Sequence, residues 1–156
     1  MASPARAVAT CFGIGYVPYA PGTVASLVSV PVGWWFAFMG SWYTLFVFVI
    51  TVVLLGIWSS SALELQKGEH DPSECVIDEV AGQWLALMPL AFSGKLLSLL
   101  GIVLAFVLFR LFDVIKPYPI SRLERLPGGL GVMADDIMAG IFAGILVMLA
   151  AQLEWI

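Results

Sequence analysis

The chain has 156 residues, 61% of them hydrophobic and 12% charged, with a mean hydropathy of +0.99. A soluble domain is about half apolar and about a quarter charged, so this composition excludes one and predicts a single membrane-embedded domain over residues 1–156. The net charge of −4 excludes nucleic acid as a partner, because that calls for clustered Lys and Arg, and two cysteines, Cys11 and Cys75, are too few for a disulfide framework and read as reduced thiols.

In chain order, residues 7–19 come first. They are apolar but broken by Gly13, Gly15 and Pro18, so they fit an interfacial or re-entrant segment better than a crossing. Arg6 is the only early cation and no small-residue cleavage site follows, so no signal peptide is expected. Five apolar stretches of roughly membrane-spanning length follow: Val24–Met39, with Pro31 and Gly33 allowing a kink, then Trp42–Ser59, Val76–Phe92, Leu96–Phe112 and Ile137–Leu153. The fold expected is all-α: a polytopic bundle of about five transmembrane helices after the short N-terminal segment.

Polar punctuation sets the helix ends. Thr23, after Pro21-Gly22, reads equally as an N-cap and, with Ser26, as part of an anion site at a helix N-terminus. Asp71-Pro72-Ser73-Glu74 reads as a capped start, with Asp71 the N-cap, Pro72 the first helical residue and Glu74 the capping-box partner. That would begin the third span near Pro72 and leave Asp78 and Glu79 about two turns inside it. Pro117 and Pro119 end the fourth span, and Pro127-Gly128-Gly129 with Gly131 reads as a flexible turn able to close over a headgroup.

Five crossings put Arg6, Lys67, Arg110, Lys116, Arg122 and Arg125 on one side and Lys95 alone on the other, which makes the first side cytoplasmic. The same side receives all the acids except Glu154. Asp78, Gly82 and Ala86 share one helical face, and so do Asp136, Gly140 and Gly144; small residues in this pattern mark close helix contact, within the chain or between copies, so a homo-oligomer stays open. Asp135 and Asp136 also suit a helix N-terminus for dipole reasons, but as a neighbouring pair they repel unless a cation sits between them. Arg110, Asp113 and Lys116 follow at spacings of three, either as a salt-bridge ladder or with Asp113 binding metal and the two cations binding phosphate. The lone His70, beside Asp71, is a candidate general acid.

Carboxylates from three helices suit Mg²⁺, a hard cation, and cations beside it suit a phosphate. The chemistry expected is therefore Mg²⁺-dependent phosphotransfer on a membrane lipid headgroup. Asp78, Glu79, Asp113, Asp135 and Asp136 are the metal candidates; Asp78, Glu79, Asp113, Asp136 and His70 the catalytic ones; and Thr23, Ser26, Arg110 and Lys116 would bind substrate. The alternative is a small membrane cation transporter or channel, against which the acids crowd one rim instead of lying mid-span.

Four blocks carry a resemblance. Gly13-Ile14-Gly15-Tyr16 leads to Ala20-Pro21-Gly22-Thr23; Val76-Ile77-Asp78-Glu79-Val80-Ala81-Gly82-Gln83-Trp84 follows; then Phe109-Arg110-Leu111-Phe112-Asp113-Val114-Ile115-Lys116-Pro117; and lastly Gly128-Gly129-Leu130-Gly131-Val132-Met133-Ala134-Asp135-Asp136. In order and spacing they resemble the bacterial phosphatidylglycerophosphatase A family over nearly the whole chain. One departure is Ala25, where that family often has glycine. The resemblance implies hydrolysis of the terminal phosphate of phosphatidylglycerophosphate to give phosphatidylglycerol, a requirement for Mg²⁺, and a place in the cytoplasmic (inner) membrane with the site on its cytoplasmic face.

Overall fold

A computed structural model describes residues 3–156, and among them the chain is all helix and loop. Helix α1 (Pro4–Ala9) and a 3₁₀ turn (Ile14–Tyr16) precede α2 (Pro21–Gly40), α3 (Trp42–Lys67), α4 (Ile77–Phe92), α5 (Leu99–Ile115), the single turn α6 (Ile120–Leu123) and α7 (Gly129–Gln152). The expected N-terminal segment is thus a short helix and a turn, too brief to cross. Its aromatic residues Phe12, Tyr16 and Tyr19 stay exposed.

The exterior is apolar where that of a soluble protein is polar. Phe46, Ile50 and Leu54 of α3, Val103 and Val107 of α5, and Ile145 and Leu149 of α7 face outward, while Ser26, Ser29, Ser59, Ser60, Asp78, Glu79, Gln83, Asp135 and Asp136 are buried. An apolar exterior this continuous belongs in lipid. Three helices, α2, α3 and α7, are long and apolar enough to cross a membrane. Helix α4 has 16 residues and α5 has 17. At 1.5 Å per residue each spans about 25 Å, slightly under the hydrocarbon thickness. Helix α4 lies at the centre, wrapped by α2, α3, α5 and α7, with its N-terminal end drawn into the bundle.

Helix starts differ from the expectation in an instructive way. Asp71 does not cap α4. It sits in the left-handed region at φ 49°, its N–H donates to Glu64 Oε1 at 3.0 Å, and Glu74 is held by Lys67 Nζ at 2.7 Å instead of closing a capping box. Helix α4 begins at Ile77 with no side-chain cap, so Asp78 and Glu79 fall in its first turn. Conversely, α7 begins at Gly129 and carries Asp135 and Asp136 about two turns inside, so neither is a helix-terminal acid. The glycines that read as a flexible turn are instead a packed helix start: the Gly129 N–H donates to Ser61 Oγ at 2.9 Å, and a Cβ there would strike the Ile57 carbonyl. Helix α2 begins at Pro21 behind a left-handed Ala20, so Thr23 is not its N-cap, and it runs unbroken through Pro31.

The two small-residue faces meet within the chain. A Cβ on Gly140 would land on the Gly82 carbonyl, and one on Gly82 would meet the Phe109 ring and the Asp136 carbonyl. Helices α4 and α7 are therefore in backbone contact, which brings Asp78 and Asp136 to the same level. Gly140→Val is expected to force the pair apart at a cost of about 1–3 kcal/mol, the usual range for overpacking, as read by unfolding in detergent. Val103→Leu on the outer face of α5 should stay within about 0.5 kcal/mol.

Candidate active site

The functional candidates gather at one end of the bundle, on the N-termini of α2 and α4, the C-terminus of α5 and the first turns of α7. Arg110 is the hub. Its guanidinium reaches Asp113 Oδ2 at 2.9 Å, pairs with Glu79 Oε2, and lies 3.4 Å from Ser26 Oγ. Ser26 is fully buried, its hydroxyl 2.9 Å from the Gly22 carbonyl and 3.0 Å from Glu79 Oε2. Gly22 allows this closeness, since a Cβ on it would fall on the Glu79 carboxylate. Ser26 thus positions Glu79 rather than presenting a free hydroxyl.

Lys116 forms the second pairing. It ends α5 in the left-handed region, and its Nζ donates to Asp135 Oδ2 at 2.7 Å and lies 3.3 Å from Glu124 Oε1. Burial works against its charge, but the bond and charge of Asp135, followed by Glu124, hold it above the usual lysine range. Asp136 sits deeper, within the fields of Glu79, Asp78 and Asp113 and beside the Asp113 carboxyl. Asp78, on α4, faces Glu79, Asp71 and Asp135. The five acidic residues expected at the site and both cations therefore form one cluster. Among the described residues, however, no three carboxylate, imidazole or thiol groups converge closely enough to hold a metal ion as they stand. Glu79 and Asp113 are turned onto Arg110, and Asp135 is turned onto Lys116.

Three buried carboxylate oxygens are left over: Asp78 Oδ1, Asp135 Oδ1 and Asp136 Oδ2 have no hydrogen-bond partner among the described residues. A buried charged oxygen without a partner is costly, so its retention points to a ligand. Gln83, one turn below Glu79 and fully buried, has both amide atoms unpartnered as well. Thr23, half-buried in the first turn of α2, has a backbone N–H without an intrahelical acceptor, as does Gly22; the first such bond in α2 runs from the Val24 N–H to the Ala20 carbonyl.

His70 is placed differently from a free general acid. Half-exposed, it has Nδ1 2.5 Å from Glu64 Oε1 and Nε2 3.0 Å from the Glu124 carbonyl, so it ties the end of α3 to the α6–α7 loop. The Glu124 contact is the main cause of its raised pKa; burial works the other way, and Glu64 and Asp71 add to the rise. Sequence reasoning missed that Asp71, exposed in the loop before α4, lies within the field of Asp135. Its carboxyl is pushed up to about 6, first by surrounding protein and then by Asp135. Asp-Pro signals a turn as readily as a helix start, and the turn was the better reading. The thiols of Cys11 and Cys75 are both free, and burial, followed by the Asp78 charge, pushes Cys11 up to about 12.

An aliphatic exterior around buried acids paired with cations defines a helical membrane protein with a charged site at one end. The sequence profile of the phosphatidylglycerophosphatase A family matches residues 7–151, and the chain belongs to that family. A Bacteroides thetaiotaomicron protein provisionally named phosphatidylinositol-3-phosphatase is 35% identical, over 92% of this chain and 91% of its own. Proteins named phosphatidylglycerophosphatase A from Escherichia coli and Haemophilus influenzae are 35% and 34% identical, over 94% and 93% of this chain and 83% and 87% of theirs. No solved structure matches the chain.

Two outcomes test the cluster. Arg110→Met leaves Glu79 and Asp113 buried without their cation and is expected to cost about 3–5 kcal/mol in detergent unfolding, with Glu79→Gln in the same background recovering part of the loss. Asp71 binds its proton more tightly folded than unfolded. Its contribution to stability is therefore full below its ordinary value of 3.8 and is lost as pH rises through about 6. In chelator, Asp71→Asn should flatten the fall in thermal midpoint between those pH values.

Proposed function

We propose that this chain hydrolyses the terminal phosphate monoester of phosphatidylglycerophosphate to phosphatidylglycerol at a membrane surface, with Mg²⁺ as cofactor. The observation that carries the reading is the trio of unpartnered, buried carboxylate oxygens on α4 and α7 beside the cations of α5, in a chain of this family. In this reading α4 and α5 cross with α2, α3 and α7, giving five spans. The asymmetry of Lys and Arg then puts the cluster on the cytoplasmic face of the inner membrane.

The chemistry of the donor set suits a hard divalent cation, on which the side chains would have to close: Asp78, Asp135 and Asp136 offer free oxygens, with Glu79 and Asp113 beside them. Bound Mg²⁺ would neutralise charge on the phosphate and polarise water. Arg110 and Lys116 bind the phosphate oxygens, and the free N–H groups of Gly22 and Thr23 at the start of α2 add donors for an anion. Asp78 would help hold the metal and so orient the attacking water. The new bond forms between water oxygen and phosphorus as the bond to the glycerol oxygen breaks, and a proton from the water ends on that departing oxygen. His70, held at both ring nitrogens, fixes the 69–71 loop beside the cluster.

The relatives' names differ in headgroup but share a phosphate monoester on a lipid, so the assay pairs the two. Phosphate release from phosphatidylglycerophosphate in mixed micelles is expected with Mg²⁺ and abolished by chelator, with phosphatidylinositol 3-phosphate a poorer substrate. Asp78→Asn is expected to lose at least about 100-fold in turnover while inserting normally. Near-normal turnover removes Asp78 from the chemistry, and cation flux through vesicles without phosphate release would favour a carrier.

A further inference from the structure

Beside the charged cluster lies an apolar cavity of about 440 Å³, lined by the N-terminal segment, α2, α3 and α4. Its chemistry is the opposite of the cluster's. The Trp84 indole lines it, but the indole N–H is committed to the Ser29 carbonyl at 2.8 Å, and the Ser29 hydroxyl is turned to the Ser26 carbonyl at 2.7 Å. No free donor or acceptor from either residue faces the space, and an apolar cavity of this kind stays dry and takes an apolar ligand.

Two features separate it from an ordinary lipid-facing groove. Phe12 and Ile14 add a wall from the N-terminal segment to those of the three helices. Its walls also run directly into the cluster: Ala25 precedes the buried Ser26, Ile77 precedes Asp78, and Val80 follows Glu79. Val28 and Val32, at its edge, remain exposed and leave it open sideways between α2 and α3.

We propose that this cavity is an acyl-chain subsite, holding one fatty-acyl chain of the lipid phosphomonoester whose phosphate lies against Arg110 and Lys116. The proposal rests on the lipid phosphatase reading. A chain entering from the bilayer leaves one apolar medium for another, so little hydrophobic energy is gained. What the subsite supplies is orientation: a seated chain fixes how deep and at what angle the headgroup meets the acids.

The test uses the full chain in phosphatidylethanolamine vesicles with a trace of phosphatidylglycerophosphate bearing a diazirine on one acyl chain. After irradiation, label is expected on residues 11–14 and 25–32. Excess unlabelled phosphatidylglycerophosphate should displace it; further phosphatidylethanolamine should not. Label confined to the outer faces of α3 and α5, or displaced equally by both lipids, overturns the subsite. A second arm fills the mouth with Val28→Phe and Val32→Phe, both at exposed positions that leave the core untouched. These variants are expected to lower kcat/KM at least tenfold for the dioleoyl substrate and to leave a water-soluble dibutyryl analogue within twofold. Equal loss on both substrates, or on neither, overturns the subsite while the phosphatase reading stands. If the unaltered protein releases phosphate from neither, that reading fails on its own, and the labelling pattern still decides the subsite.

Discussion

A carboxylate taken out of water must be matched by a cation or neutralised by a proton, and the geometry of this bundle follows from how Arg110 meets that demand for two acids at once. Its guanidinium joins Glu79 of α4 to Asp113 of its own helix and touches Ser26 of α2. Three helices are thereby fixed at one level by a planar, permanently charged group that lysine would not replace. Lys116 does the same for α5, Glu124 and α7. Asp78 and Asp136 make no ion pair with a cation of the chain, and Asp135 keeps one oxygen that Lys116 does not meet, which is why the ligand reading falls on these three.

This electrostatic arrangement depends on a steric one. Gly82 and Gly140 let α4 and α7 touch backbone to backbone, and Gly22 lets α2 approach the Glu79 carboxylate. Without side chains at those three points, acids from separate helices come within range of one another. With them, the same acids would sit on helices held apart. The packing that makes the site is thus carried by residues with no chemistry of their own.

Much of this was legible in the sequence. The apolar stretches gave the long helices to within a few residues, except that α3 continues past Ser59 to Lys67 and α7 begins at Gly129, eight residues before Ile137; the four-residue spacing of Asp78-Gly82-Ala86 and Asp136-Gly140-Gly144 gave the facing surfaces of α4 and α7. Helix starts were misread because their residues carry two meanings. Asp71-Pro72 opens a helix or makes a turn, and Gly128-Gly129 loosens a loop or admits a close neighbour. Only the tertiary partners, Glu64 for the Asp71 N–H and Ser61 for the Gly129 N–H, decide between them. The pairing of Arg110 with Glu79 was not legible at all. The i,i+3 neighbour Asp113 was visible in the sequence, whereas a partner 31 residues away requires the fold.

The central place of α4 has a consequence for how the chain is made. This helix carries two acids in its first turn, and the cation that pairs with one of them, Glu79, lies on α5, which emerges later from the ribosome. The backbone just before it is held by the segment made first, through the bond from the Val76 N–H to the Ala9 carbonyl. As a nascent segment α4 is therefore a poor candidate for lipid on its own, and it settles only when something older and something newer are both in place. Completion of the site falls to α7, which follows α4 and α5 in the chain and brings Asp135 to Lys116.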